Sequence, residues 1–199
     1  MSGEFERIAV IRRLAGRHGR GVVLGIGDDA ALLASRPGYD TAISSDLLVE
    51  GVHFRLDWAT PEQIGYKAIA VSLSDMAAMG AEPFAAVIGL AMPTTLGDEF
   101  IEAFYRGATA LANRHGTTIV GGDLSRSPST IVIYSVVVGY VPEGGALRRD
   151  RARSGQDIYV SGELGTSAFG FARLQSSNED DLASFASEAA VRTHLLPEP

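Results

Sequence analysis

A chain of 199 residues that is 46% hydrophobic and 21% charged can bury a real core, and its length fits one domain or one and a half. Its net charge of -7 and pI near 5.1 exclude a nucleic-acid binder, which needs a clustered excess of Lys and Arg against phosphate. The lack of cysteine excludes disulfides, thiolate metal sites and cysteine nucleophiles, so any metal must sit on oxygen or imidazole.

The first residues mix acidic and basic side chains and lack the apolar core of a secretory signal. No run approaches about 18 apolar residues, so no membrane span is expected and a cytoplasmic address is the default. Phe5, Ile8, Ile11 and Leu14 then recur at helical spacing, closed by Gly16 and Gly19, and predict a helix of about three turns. Residues 22–26 and 30–34 read as two strands flanking the acidic turn Gly27-Asp28-Asp29, and 40–46 as a strand ending in hydroxyls and a carboxylate.

Thr60-Pro61-Glu62-Gln63 has the form of a capped helix start, and the helix runs to Gly80. Residues 84–92 read as a buried strand, 97–115 as a helix, 117–120 as a strand and 130–140 as a long strand. The turn formers at 141–145 mark a linker. Beyond it, 157–161 reads as a strand and Gly170 onward as helical, with an acidic, Ser-rich insertion at 176–181. The expected fold class is α/β (α+β), a mixed sheet with helices on one face, in three parts: a domain over 1–140, a linker over 141–156, and the start of a second α/β domain over 157–199.

Five aspartates stand out: Asp28, Asp29, Asp46, Asp75 and Asp123, most of them following an apolar run beside Gly or Ser. Carboxylates so placed suit Mg²⁺, which takes one or two carboxylates with phosphates and water completing its shell. The competing reading is a turn aspartate bonding local backbone amides. Asp75 resists it, because its segment is so apolar that a buried charge there is costly unless paired or bound to metal.

Gly25, Gly27, Gly121 and Gly122 let backbone amides approach phosphate oxygens, although no P-loop pattern is present. Lys67 and His53 are the natural cationic partners of an anionic substrate, set against a surface lysine and a structural histidine. Tyr105 reads as core or as a stacking surface, and the run from Arg148 to Arg153 as a solvated loop or an anion holder. A Ser-His-Asp hydrolase lacks its Gly-x-Ser-x-Gly elbow, and His18, His115 and His194 sit near helix ends.

Gly-Ile-Gly-Asp-Asp-Ala-Ala at 25–31, Ser-Ser-Asp-Leu-Leu-Val-Glu-Gly-Val-His-Phe at 44–54, the segment from Lys67 to Pro83, and Gly-Gly-Asp at 121–123 together resemble the ordered motifs of the thiamine-monophosphate kinase family. That family belongs to the aminoimidazole ribonucleotide synthetase-like superfamily, and the likeness covers residue 4 to about residue 161. The resemblance implies transfer of the γ-phosphoryl group of ATP to thiamine monophosphate, several Mg²⁺ ions as cofactor, and a homodimer joined through the N-terminal sheet. It implies Asp29, Ser44, Ser45, Asp46, Asp75 and Asp123 as magnesium ligands and His53 as a contact of the thiamine phosphate. Tyr105, Gly122, Asp123 and Arg149 would contact ATP.

A phosphate monoester is largely ionised near neutral pH, so such an acceptor needs positioning against charge repulsion more than a general base. Three departures accompany the resemblance: Ser154-Gly155-Gln156-Asp157 where Pro-Gly-Asp is usual, Leu124-Ser125-Arg126 where Thr-Thr-Arg is common, and no C-terminal Ser-Asp-Gly segment. The chain is therefore expected to be the N-terminal part of such an enzyme. The alternatives are a non-catalytic dimerising or nucleotide-binding module, or another ATP-dependent enzyme of the superfamily.

Overall fold

A computed structural model describes residues 3–16, 19–176 and 188–199. The first apolar pattern folds as helix α1 (Glu4–Ala15). The two runs around the acidic turn pair antiparallel as short strands β1 (Val22–Leu24) and β2 (Leu32–Leu33). Strand β3 (Tyr39–Val49) is longer than expected, and helix α2 (Pro61–Ala78) begins with the anticipated cap. There the Gln63 N–H donates to Thr60 Oγ1 at 3.2 Å and the Thr60 N–H to Gln63 Oε1 at 2.9 Å.

Strand β4 (Glu82–Met92) and helix α3 (Asp98–Arg114) lead into β5 (Thr118–Arg126) and β6 (Val132–Pro142). The four long strands form one mixed sheet in the order β3-β6-β4-β5. Strands β4 and β5 run parallel, joined by α3 as crossover, while the other neighbours are antiparallel.

Period-two alternation gives this sheet two unlike faces. Ile133, Ser135 and Val137 of β6 and Ala86, Ile88 and Leu90 of β4 are fully buried beneath α2 and α3. The two helices touch backbone to backbone. A Cβ on Gly65 would lie 1.9 Å from the Phe104 carbonyl oxygen, and one on Gly107 1.8 Å from that of Glu62.

One end of the opposite face is capped by the β1–β2 hairpin. There Phe84 and Tyr140 stack at 4.2 Å, Tyr140 Oη donates to the Ala34 carbonyl, and the Arg36 guanidinium lies 3.6 Å over the Tyr39 ring. The rest of that face is uncovered, with Ile43 69%, Leu47 52% and Tyr134 46% exposed.

After β6 the chain turns at Gly144 and passes the end of α2, where the Leu147 N–H donates to the Met79 carbonyl at 3.0 Å. The expected strand over 157–161 does not form: Ile158 is 94% exposed, and no strand among the described residues pairs with it. The short apolar run Ile158-Tyr159-Val160 has no partner strand among the described residues to hydrogen-bond. Helices α4 (Thr166–Ser176) and α5 (Ala189–Leu195) pack on each other and join the main core through Leu174, Val191 and Leu195. Trp58 meets Phe171 edge-on at 5.8 Å, and Glu198 accepts from Tyr66 Oη at 3.0 Å and Arg114 Nη2 at 2.9 Å. Most of the acidic, Ser-rich insertion, and His18, lie outside the described residues.

Candidate functional site

Strand alternation on β3 turns Ser44 and Asp46 toward α2 and Ser45 away from it. Ser44 Oγ donates to Asp75 Oδ2 at 2.5 Å, and Ser72 Oγ donates to Asp46 Oδ2 at 2.9 Å. The hydroxyls of Ser72 and Ser135, both fully buried, bond each other at 2.9 Å. Three of the residues singled out as magnesium ligands thus share one oxygen-only group at the junction of β3 and α2.

Asp75 is not buried as its apolar surroundings suggested. It lies on the exposed side of α2, where Ser74, Ala77 and Ala78 are small rather than internal. Its carboxylate stands near the C-terminal end of the helix, whose partial negative charge disfavours an anion, and the last turn carries no basic residue. Among the described hydrogen bonds, the Ser44 hydroxyl is what meets it.

The second group surrounds an open cleft of about 1250 Å³ between α1, the β1–β2 loop and β5. Asp28, Asp29, Tyr105, Gly121, Gly122 and Asp123 all contribute to its lining. Asp29 is exposed on the loop, while Asp123 lies within β5, not in the turn that the paired glycines suggested, and accepts from Ser125 Oγ at 2.9 Å. A Cβ on Gly122 would come within 2.0 Å of the Ile88 carbonyl oxygen, so this glycine serves the close pairing of β5 with β4. Tyr105 is 1% exposed, and burial, with the Asp123 carboxylate beside it, pushes its phenol well above the ordinary value of 10. It therefore stays a neutral hydroxyl in the cleft wall.

Register places the two groups at one level of the sheet. Asp46 pairs with Ser135, Ser135 with Ile88, and Ile88 with Gly122, so a single row crosses from β3 to β5. Three interstrand spacings, about 14 Å along the surface, separate its ends. Among the described residues, no three Asp, Glu, His or Cys side chains converge tightly enough to hold a metal by themselves.

The remaining candidates stand apart from both groups. His53 is exposed just after β3, and its Nδ1 accepts the Val49 N–H at 3.0 Å, which leaves the ring proton of the neutral imidazole on Nε2. Lys67 reaches it from α2, its Nζ donating to the His53 carbonyl at 2.9 Å, and burial lowers the lysine pKa. Ser45 faces the uncovered sheet surface. Arg149 is exposed in a short helical turn (Arg149–Arg151), outside the cleft lining. Ser72 and Ser135 escaped the sequence reading; the one available signal was a hydroxyl interrupting each of two apolar runs.

Residues 27–141, more than half the chain, match the family described as AIR synthase related protein, N-terminal domain. The chain belongs to this family. Among AIR synthase related proteins, it is 40% identical to the thiamine-monophosphate kinase of Salmonella typhimurium over 99% of this chain and 59% of that protein. The crystal structure of the thiamine-monophosphate kinase from Stenotrophomonas maltophilia is 38% identical, with a TM-score of 0.81 over 99% of this chain and 62% of that one. The structure of AaThiL complexed with AMPPCP and TMP is 32% identical, with a TM-score of 0.71 over 98% of this chain and 59% of that one. The chain thus spans somewhat under two thirds of the length of these relatives, and its mixed α/β sheet with helices is the fold they share. No helix among the described residues is long and apolar enough to cross a membrane.

Proposed function

We propose that the chain is the nucleotide- and metal-binding N-terminal part of a cytoplasmic thiamine-monophosphate kinase, which transfers the γ-phosphoryl group of ATP to thiamine monophosphate. The observation that carries this reading is the level pairing of two oxygen-rich groups across one sheet. Ser44, Asp46 and Asp75 stand at one edge, and Asp29, Gly122 and Asp123 line the cleft at the other. The relatives named above support it, one of them bound to AMPPCP and TMP.

Carboxylate and hydroxyl oxygens without thiolate form a donor set that fits Mg²⁺, and a site lacking three convergent carboxylates fits an ion that completes its shell with phosphate and water. Asp46, Asp75 and Ser44 would hold such ions on one side, and Asp29 and Asp123 on the other. Bound Mg²⁺ would offset the repulsion between two phosphate-bearing molecules.

This chain's own residues position the reactants. Tyr105 offers a neutral hydroxyl in the cleft, and β5 supplies backbone beside Asp123. His53, its Nδ1 committed to Val49, presents an Nε2–H to an anionic substrate, with the Lys67 charge behind it. A phosphate oxygen of thiamine monophosphate attacks the γ-phosphorus as the bond to the β-bridging oxygen breaks, and ADP leaves. The acceptor is already ionised, so positioning and electrostatics suffice.

The same reading includes a homodimer, in which a second copy covers the apolar sheet face around Ile43, Leu47 and Tyr134. Isothermal titration of the 199-residue chain with Mg²⁺-ATP tests the nucleotide reading. Binding that weakens at least ten-fold in Asp75→Asn and Asp123→Asn is the expected result; heat indifferent to both substitutions would sink it.

A further inference from the structure

Phe5, Ile8 and Arg12 fall at helical spacing on the stripe of α1 that lines the cleft. The Arg12 guanidinium lies directly against the backbone of Gly27. Its Nη1, Cζ and Nη2 stand 3.0, 3.1 and 3.4 Å from the position a Cβ on that residue would take. Gly27 has φ +131°, a conformation that side-chain-bearing residues rarely adopt, so glycine both turns the loop and leaves its flank open to the arginine.

Asp28 and Asp29 adjoin this contact, yet Arg12 makes no hydrogen bond or ion pair among the described residues. Asp28 Oδ1 instead accepts the Asp29 N–H at 2.9 Å. The result is an exposed cation resting against the Gly27 backbone, with its fork of N–H donors unspent among the described residues, in the lining of a cleft that also includes Asp28, Asp29 and Asp123. A planar guanidinium presents those donors in the geometry that phosphate oxygens accept in pairs.

We infer that Arg12 grips the polyphosphate of the bound nucleoside triphosphate and that Gly27 keeps its guanidinium in place. The assignment rests on the nucleotide reading of the cleft. It gives the acidic loop a second purpose: the glycine that exposes Asp28 and Asp29 also seats the cation that answers the triphosphate's own charge. Arg13, on the next position of the helix, lines the cleft without that seat.

Titrating the whole chain with Mg²⁺-ATP and separately with Mg²⁺-tripolyphosphate tests the assignment. Arg12→Ala should weaken both ligands on the order of ten-fold or more, Arg12→Lys should weaken them less, and neither change should move the thermal midpoint of the free protein. Gly27→Ala should lose a similar factor, and the double variant should lose little beyond either single one, because both act on one contact. Full affinity in Arg12→Ala, alongside weakened binding in Asp123→Asn, would overturn the assignment and leave the cleft reading standing. Loss for Mg²⁺-ATP with tripolyphosphate untouched would overturn it too, as would fully additive losses in the double variant. Wild-type protein that binds neither ligand would instead bring down the nucleotide reading itself.

Discussion

Asp75 stands against the local electrostatics of its own helix. An exposed carboxylate near the C-terminal end of α2 is disfavoured by the aligned peptide dipoles, and no lysine or arginine occupies that last turn. Removing its charge should therefore stabilise the metal-free protein. Asp75→Asn is expected to raise the thermal midpoint by the equivalent of about 0.3–1 kcal/mol, while the rise that Mg²⁺-ATP produces in the wild type disappears. Thermal melts with and without Mg²⁺-ATP read both effects, and a destabilised free variant would show that Asp75 is structural. The sequence marked this residue for a reason that fails. Small side chains at 74, 77 and 78 looked like a buried stretch, whereas helical spacing puts Leu73 and Met76 inside and Asp75 outside. What made Ser72 and Ser135 illegible was register. Their meeting depends on which row of β6 lies beneath which turn of α2, and neither local run encodes that.

Among the elements, α2 and α3 come together through glycines, and the contact tolerates no addition. Gly107→Ala would drive a methyl into the Glu62 carbonyl, so the helices must separate over the sheet. Overpacking of this kind costs about 1–3 kcal/mol or more, and denaturant melts should show that loss; an unchanged midpoint would mean that the pair slides freely.

The docking of α5 has a pH signature. Burial and the nearby Lys67 charge lower the His194 pKa below its ordinary 6.5, against the opposing pull of a hydrogen bond at Ser167. The Ser167 hydroxyl lies 3.1 Å from Nδ1, and the Phe171 ring centroid 5.4 Å from that of the imidazole. As pH falls through 6.5, the unfolded chain takes up the proton before the folded one, so the stability from a neutral His194 is present above that pH and lost below it. Amide protection over α5, corrected for the intrinsic pH dependence of exchange, should fall as pH drops from about 7.5 to about 5.5 in the wild type and change less in His194→Gln.

Much at this scale was legible, because long periodic runs with a hydroxyl cap, as at Thr60, declare themselves locally. The two strand errors have opposite causes. Gly121-Gly122 looked like a turn but lies within β5, where Gly122 presses against the Ile88 backbone of β4, and 157–161 has no strand beside it among the described residues.

For the molecule as a whole, the two faces of the sheet are covered unequally. One face is sealed by α2 and α3, but on the other the hairpin caps only one end, and Ile43, Leu47 and Tyr134 stay on an open surface. A sheet buries both faces where it can, and patches of this kind mark association surfaces. Ser45 lies on β3 between Ile43 and Leu47 and faces the same way, so any ligand it touches must be enclosed at that surface rather than beneath α2. A second copy laid against the sheet would cover the apolar residues and bring Ser45 into a closed environment at once. Light scattering at tens of micromolar should give the mass of a dimer, and Leu47→Lys, with its charge placed in the contact, should give that of a monomer. Because α2 and α3 hold the far side of the sheet, the monomeric variant should keep its circular dichroism while binding Mg²⁺-ATP more weakly than the wild type. A wild-type chain that remains monomeric at that concentration removes the dimer, and with it any ligand role for Ser45 that depends on enclosure.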